Sequence, residues 1–109
     1  MEKKQHKNIY RDNSGPNIQE LLDAIITLKN PDDLLEFLKD LCTPQELVSL
    51  ADRWHVCKLL DNGELSYREI QETTGVSLAT IVRVARFLHN EPHRGYELAL
   101  KKLKKSKKL

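Results

Sequence analysis

Two helix-start signals, Ser66 and Ser77, stand either side of Gly75, and their spacing constrains the fold more than any other feature of the chain. Ser66-Tyr67-Arg68-Glu69 reads as a capping box: the serine caps the first turn and the glutamate bonds back to it. It opens a short helix that Gly75 ends, because glycine tolerates the left-handed backbone of a helix C-terminus. Ser77 then caps a second helix running to about Asn90. The turn Gly75-Val76-Ser77 has the length and chemistry of a helix-turn-helix, spanning 66–90. Val76 is expected to plug the angle between the helices, and Ile70 to meet Ile81 and Val84 across it.

The same punctuation recurs upstream. Ile18, Leu21, Leu22, Ile25, Ile26 and Leu28 repeat at helical spacing, predicting a first helix from Asn17 to Asn30 with Asn17 as cap. Asn30-Pro31 marks a break and a restart, since proline suits the first helical position after an Asn cap. The second helix carries Leu34, Leu35, Phe37, Leu38 and Leu41 to about Cys42. Thr43-Pro44 and Glu46 open the longest helix, Pro44 to Asn62, which Gly63 ends. Glu91-Pro92 closes the helix after Ser77, because proline disfavours helix at the residue before it. A sixth helix from about Gly95 carries Tyr96, Leu98, Ala99, Leu100 and Leu103 and frays into lysines. No segment alternates with period two, so the expected fold class is all-α, with six helices and no sheet.

Charge is unevenly distributed. The net charge of the 109 residues is +2, yet the last nine hold six lysines: Lys101, Lys102, Lys104, Lys105, Lys107 and Lys108. Residues 1–16 hold four bases against two acids, and the stretch between has eight bases and fourteen acids, a balance of −6. An acidic body with basic ends is not a non-specific nucleic-acid coat, so any DNA contact must come from a few bases presented on one face. The expected organisation is a flexible basic arm at 1–16, a folded domain at 17–100 and a Lys-rich tail at 101–109. No apolar run approaches the ~18–20 residues needed to cross a bilayer, and the N-terminus lacks the apolar stretch of a secretory signal. The expected location is the cytoplasm, where Cys42 and Cys57 stay reduced as small apolar residues. No membrane partner and no cofactor are expected.

The helix after Ser77 leads with small and polar side chains. Ser77, Leu78, Ala79, Thr80, Val82 and Arg83 permit close approach to base edges, and a helix N-terminus favours phosphate. Arg68 can reach a phosphate, or a guanine through O6 and N7. Arg83 and Arg86 lie three apart on one side of the helix. These residues form the candidate site for double-stranded DNA.

Larger motifs carry a resemblance. They are Asp40-Leu41-Cys42-Thr43, Glu46-Leu47 with Ala51-Asp52-Arg53, Tyr67-Arg68-Glu69-Ile70, and Ala79-Thr80-Ile81 with Arg83, with Gly75 in register. Through them Thr43 to Leu88 resembles the Trp repressor family, and the chain from about Ile18 to Leu100 resembles its YerC/YecD group. The resemblance implies a six-helix, Trp-repressor-like array and an intertwined homodimer with exchanged N-terminal helices. Two recognition helices would then meet successive major grooves about one DNA turn apart. It also implies a base contact for Arg68, groove contacts for Leu78, Ala79 and Val82, and groove or backbone positions for Thr80 and Arg83.

The Trp repressor holds L-tryptophan between two arginines beside a threonine. Arg53, Arg83 and Thr43 match those positions, but Val84 stands in place of a glycine and Phe87 in place of a serine. The resemblance thus implies a degenerate pocket of Thr43, Arg53, Arg83, Val84 and Phe87 that tryptophan is not expected to enter. Phe87 would act as a built-in substitute for the indole.

The leading expectation is a homodimeric, sequence-specific transcriptional regulator, a repressor by resemblance. Two alternatives stay open: a small-molecule sensor of altered specificity built on Thr43, Arg53 and Arg83, and a helical protein-interaction module. Arg53 has a second reading as the partner of Glu46 or Glu64. Trp54 is expected in the core or a dimer interface. His89 and His93 are read as solvated rather than metal-binding, since Pro92 interrupts the helix between them. No catalytic constellation is present in the sequence, so no enzyme is expected.

Overall fold

The computed structural model describes residues 15–90 and 93–107. They form six helices, with no strand among the described residues. The chain divides into two compact units, Met1–Thr43 and Pro44–Leu109. Residues 1–14 of the arm expected at 1–16, the Glu91-Pro92 helix stop and residues 108–109 of the expected tail lie outside the described residues.

The first unit holds α1, Pro16–Thr27, and α2, Pro31–Leu41. Gly15, not Asn17, is the N-cap of α1, and no side chain caps it. Pro16 explains the shift: its fixed φ and missing N–H suit the first helical position, so the helix begins one residue before the expected cap. The helix also stops short of Asn30. Leu28 is extended, at φ −91° and ψ 94°, because Asn30 precedes a proline and must itself be extended to cap α2. The Asn30 side-chain oxygen accepts from the backbone N–H groups of Asp32 at 2.7 Å and Asp33 at 3.4 Å. Asp32 and Asp33 in the first turn and Lys39 in the last complement the helix dipole. Neither helix contains a buried residue. Leu22, Ile26, Leu35 and Leu41 are all exposed.

The second unit holds α3, Pro44–Asn62; α4, Tyr67–Thr74; α5, Leu78–His89; and α6, Gly95–Lys107. Gly63 follows α3 at φ 75°, as its left-handed role requires. The core joins Val56 and Cys57 of α3, Ile70 of α4, Val76 of the turn, Ile81 and Val84 of α5 and Leu100 of α6. Trp54, Leu59, Leu60, Leu65, Leu88 and Tyr96 pack around it. Val56, Cys57, Ile70, Ile81 and Val84 have no accessible surface, and each fully buried aliphatic side chain contributes about 1.5–3 kcal/mol. Among the described residues no buried polar side chain lacks a partner. The lysines do not fray α6, which stays helical to Lys107. Lys104 pairs with Asp61 at the end of α3, 2.8 Å away, and anchors that last stretch. Among the described residues no helix is long and apolar enough to cross a membrane.

Candidate nucleic-acid interface

The expected helix-turn-helix is α4, the turn 75–77 and α5. At its start both bonds of the capping box form: Ser66 Oγ accepts from Glu69 N–H at 3.1 Å, and Glu69 Oε1 accepts from Ser66 N–H at 2.8 Å. Gly75 closes α4 at φ 75° and donates to Gln71 O at 2.9 Å. The Thr74 hydroxyl donates to Ile70 O at 2.7 Å and accepts from Val76 N–H at 3.1 Å. Thr74 therefore stitches the turn, a role with no signal in the sequence, where Gly75 alone accounts for the end of the helix. Val76 is 8% exposed and seals the angle between α4 and α5.

Ser77 caps α5. Its Oγ accepts from Thr80 N–H at 3.2 Å and donates to Thr80 Oγ1 at 3.1 Å. The two hydroxyls at the leading turn are thus engaged with each other and with the backbone. With Ile81, Val84 and Ala85 facing the core, the opposite face of α5 carries Leu78, Ala79, Val82, Arg83 and Arg86, all exposed. Arg68 lies in the first turn of α4, and its Nε is 3.4 Å from Glu72 Oε2. Its side chain is 86% exposed, so this pair is worth little and yields readily to a better anion.

A small, mostly polar cavity of about 180 Å³ opens at the N-terminus of α5. Ser49, Asp52 and Arg53 of α3 line one side of it, and Gly75, Val76, Ser77 and Thr80 line the other. Arg53 is half-buried there. Arg53 and the positive end of the α5 dipole favour an anion here, and the Asp52 carboxylate in the same cavity opposes it.

A second cavity, of about 310 Å³, is lined by Arg83, Phe87, His93, Gly95 and Tyr96. Phe87 is its centre. The Arg83 guanidinium carbon lies 4.6 Å from the ring centroid and that of Arg86 5.3 Å, both within cation–π range. His93 stacks on the same ring at 5.9 Å and 15°. His93 is exposed, as expected, yet it is also packed, which the sequence reading missed because residues 87 and 93 are not helical neighbours. Tyr96 lies within the electrostatic reach of both Arg53 and Arg83. Burial pushes its hydroxyl above the ordinary tyrosine value, Cys57 adds to that push, and the two arginines oppose it. Its ring centroid is 6.3 Å from that of Trp54, so Trp54 sits against the core as expected.

Three of the five residues expected in the degenerate pocket line these two cavities. Arg53 lines one cavity, and Arg83 and Phe87 the other. Val84 is fully buried in the core. Tyr96, read from sequence only as an apolar position of α6, is the side chain that both arginines influence. Among the described residues no group of His, Cys, Asp and Glu is placed to hold a metal ion.

The profile of the Trp repressor protein family matches residues 16–104. The chain is 39% identical over 92 residues to the uncharacterized protein YerC of Bacillus subtilis, covering 84% of this chain and 86% of that one. It is 36% identical over 75 residues to a Trp operon repressor homolog of Photobacterium profundum, covering 67% and 71%. The crystal structure of a TrpR-like protein from Eubacterium eligens superposes with a TM-score of 0.76 at 37% identity, over 83% of this chain and 91% of that one. A crystal structure from Staphylococcus aureus superposes with a TM-score of 0.79 at 36% identity, over 88% and 93%.

Proposed function

The chain belongs to the Trp repressor family, in its YerC group, and from that premise we propose that it is a sequence-specific DNA-binding transcriptional regulator. It acts in the cytoplasm as a homodimeric repressor, without tryptophan. The observation that carries this reading is the outward face of α5. Leu78, Ala79, Val82, Arg83 and Arg86 stand on a doubly capped helix whose other face is locked into the core. A helix held in that way can enter a major groove without reorganising. Arg68 reads a base beside it, and Arg53 meets a backbone phosphate near the N-terminus of α5. Nothing in this chemistry calls for catalysis.

Two features support a dimer. The α1 and α2 helices carry apolar faces that contain no buried residue. A groove of about 470 Å³ between α3 and α6 is floored by Leu59, Leu100 and Leu103 and rimmed by Lys58, Lys104 and Lys107. A second copy would cover both, its acidic α1 and α2 facing the lysines. Tryptophan independence is supported by Val84, which leaves no space in the core, and by Phe87, whose ring the arginine at 83 already covers.

Selection of binding sites from a random duplex library with the purified protein tests the proposal, followed by the best site against Arg68→Ala. The expected outcome is a two-fold symmetric motif bound without tryptophan and weakened by about 1–3 kcal/mol in the variant. A folded protein that enriches no motif at low salt would leave the interaction-module reading in its place. The cavity beside Phe87 and Tyr96 favours the sensor as a second reading. Thermal stabilisation by one compound from an amino-acid panel would support it.

A further inference from the structure

We propose that Leu78 and Val82 read thymine through its 5-methyl group, so that each half-site places thymines against the leading turns of α5. The inference rests on the DNA-binding reading above and names the chemistry by which that same face selects its sequence.

Leu78 is 48% exposed and Val82 49% exposed. They are one helical turn apart and point the same way. Apolar side chains on the core face of α5 are buried, while these two stand in water on the face opposite. Ser77, the exposed hydroxyl of the leading turn, is engaged as both donor and acceptor, and Thr80 beside it is half-buried. The Ser77 and Thr80 hydroxyls bond to each other at 3.1 Å, and Ser77 Oγ also accepts the Thr80 N–H. Ala79, between them, adds only a methyl. The guanidinium groups of Arg83 and Arg86 lie farther along the helix and pack on Phe87. The leading face of α5 thus presents hydrocarbon to whatever it meets. Major-groove edges carry donors and acceptors, and the one apolar group among the four bases is the methyl of thymine. An apolar pair at this position gains from meeting that methyl and loses from meeting an unpaired cytosine amino group or guanine carbonyl. The flanking arginines supply the charge that makes the occupant a nucleic acid rather than an apolar protein surface.

Replacing thymine by deoxyuridine removes the methyl and keeps the base pair. The test titrates the full chain against its selected duplex and against duplexes with single thymine-to-deoxyuridine changes. One or two positions per half-site are expected to weaken about fourfold each, the worth of one buried methyl-sized group. In Leu78→Ala and Val82→Ala the corresponding changes should have no further effect. Val82→Thr, which preserves side-chain volume, should shift the preferred base while leaving the thermal transition in place. Binding that discriminates the selected site from a scrambled one, yet ignores every deoxyuridine, would overturn the inference and leave the DNA reading intact. A deoxyuridine effect that persists unchanged in both alanine variants would overturn it too, by placing the methyl contact elsewhere. No discrimination between selected and scrambled duplexes would overturn both readings. So would apolar capture of another protein by this face in the absence of any DNA preference.

Discussion

Phe87 gathers three nitrogenous side chains around one ring at the outer side of α5. Arg83 and Arg86 come from its own helix, whereas His93 comes from beyond the helix end. The ring therefore ties α5 to the segment that leads into α6. In Phe87→Ser the two arginines lose their stacking surface. DNA affinity should fall, with tryptophan absent or present. Unchanged affinity under both conditions, in a gel-shift titration, would remove Phe87 from the role of built-in substitute. Cys57 illustrates a different consequence of position. It has no accessible surface, and burial, reinforced by the Asp61 carboxylate, raises its thiol from 9.0 to about 11. The neutral thiol is thus favoured in the folded state. Its contribution to stability is complete below about pH 9 and is lost as pH climbs through 11. Tyr96 is raised as well and acts in the same direction. A two-unit shift corresponds to about 2–3 kcal/mol at its limit. Denaturant midpoints should hold to about pH 9 and then decline, with a shallower decline in Cys57→Ala.

At the scale of elements, the turn between α4 and α5 concentrates the conformational demands. Gly75 holds φ at 75°, and a Cβ added there would meet nothing within 4 Å. The cost of Gly75→Ala is therefore purely that of a left-handed backbone, about 1–2 kcal/mol. Urea melts should show that loss without a change in slope. A cost near zero would mean the turn relaxes to another conformation. This turn was legible in the sequence because glycine, serine and glutamate act locally, through bonds that span three or four residues. The start of α1 was less so. Asn17 offered a capping pattern, and Pro16 offered a better first helical position one residue earlier. The extent of α6 was not legible at all from local signals. Consecutive lysines argue for fraying, and the ion pair that holds Lys104 comes from Asp61, distant in sequence.

For the whole molecule, the division between units sets the expectation. The second unit has a shared core drawn from four helices and the turn. The two helices of the first have apolar faces and no buried residue, and helices in that state gain little from hydrophobic burial on their own. If a second copy supplies the cover, folding and association are linked. Thermal midpoints should then rise with protein concentration, and sedimentation should give twice the 12.6 kDa chain mass. A monomer whose melting is independent of concentration would contradict the dimer and, with it, the two-fold symmetric site.

The sequence alone determined the all-α class, the breaks at Pro31, Pro44, Gly63 and Gly75, and the helix-turn-helix itself, because caps, prolines and left-handed glycines act within a turn or two of the backbone. It also identified the residues on the outward face of α5, since helical periodicity fixes which side chains share a side once the core face is known. Tertiary structure decided what those residues do to one another. It turned the Ser77 and Thr80 hydroxyls inward upon the cap and stacked Arg83 and Arg86 on Phe87 with His93. It also put Tyr96 within reach of both Arg53 and Arg83. These are contacts between surfaces of neighbouring helices, and they follow from how the helices cross and pack, which no local pattern in the chain encodes.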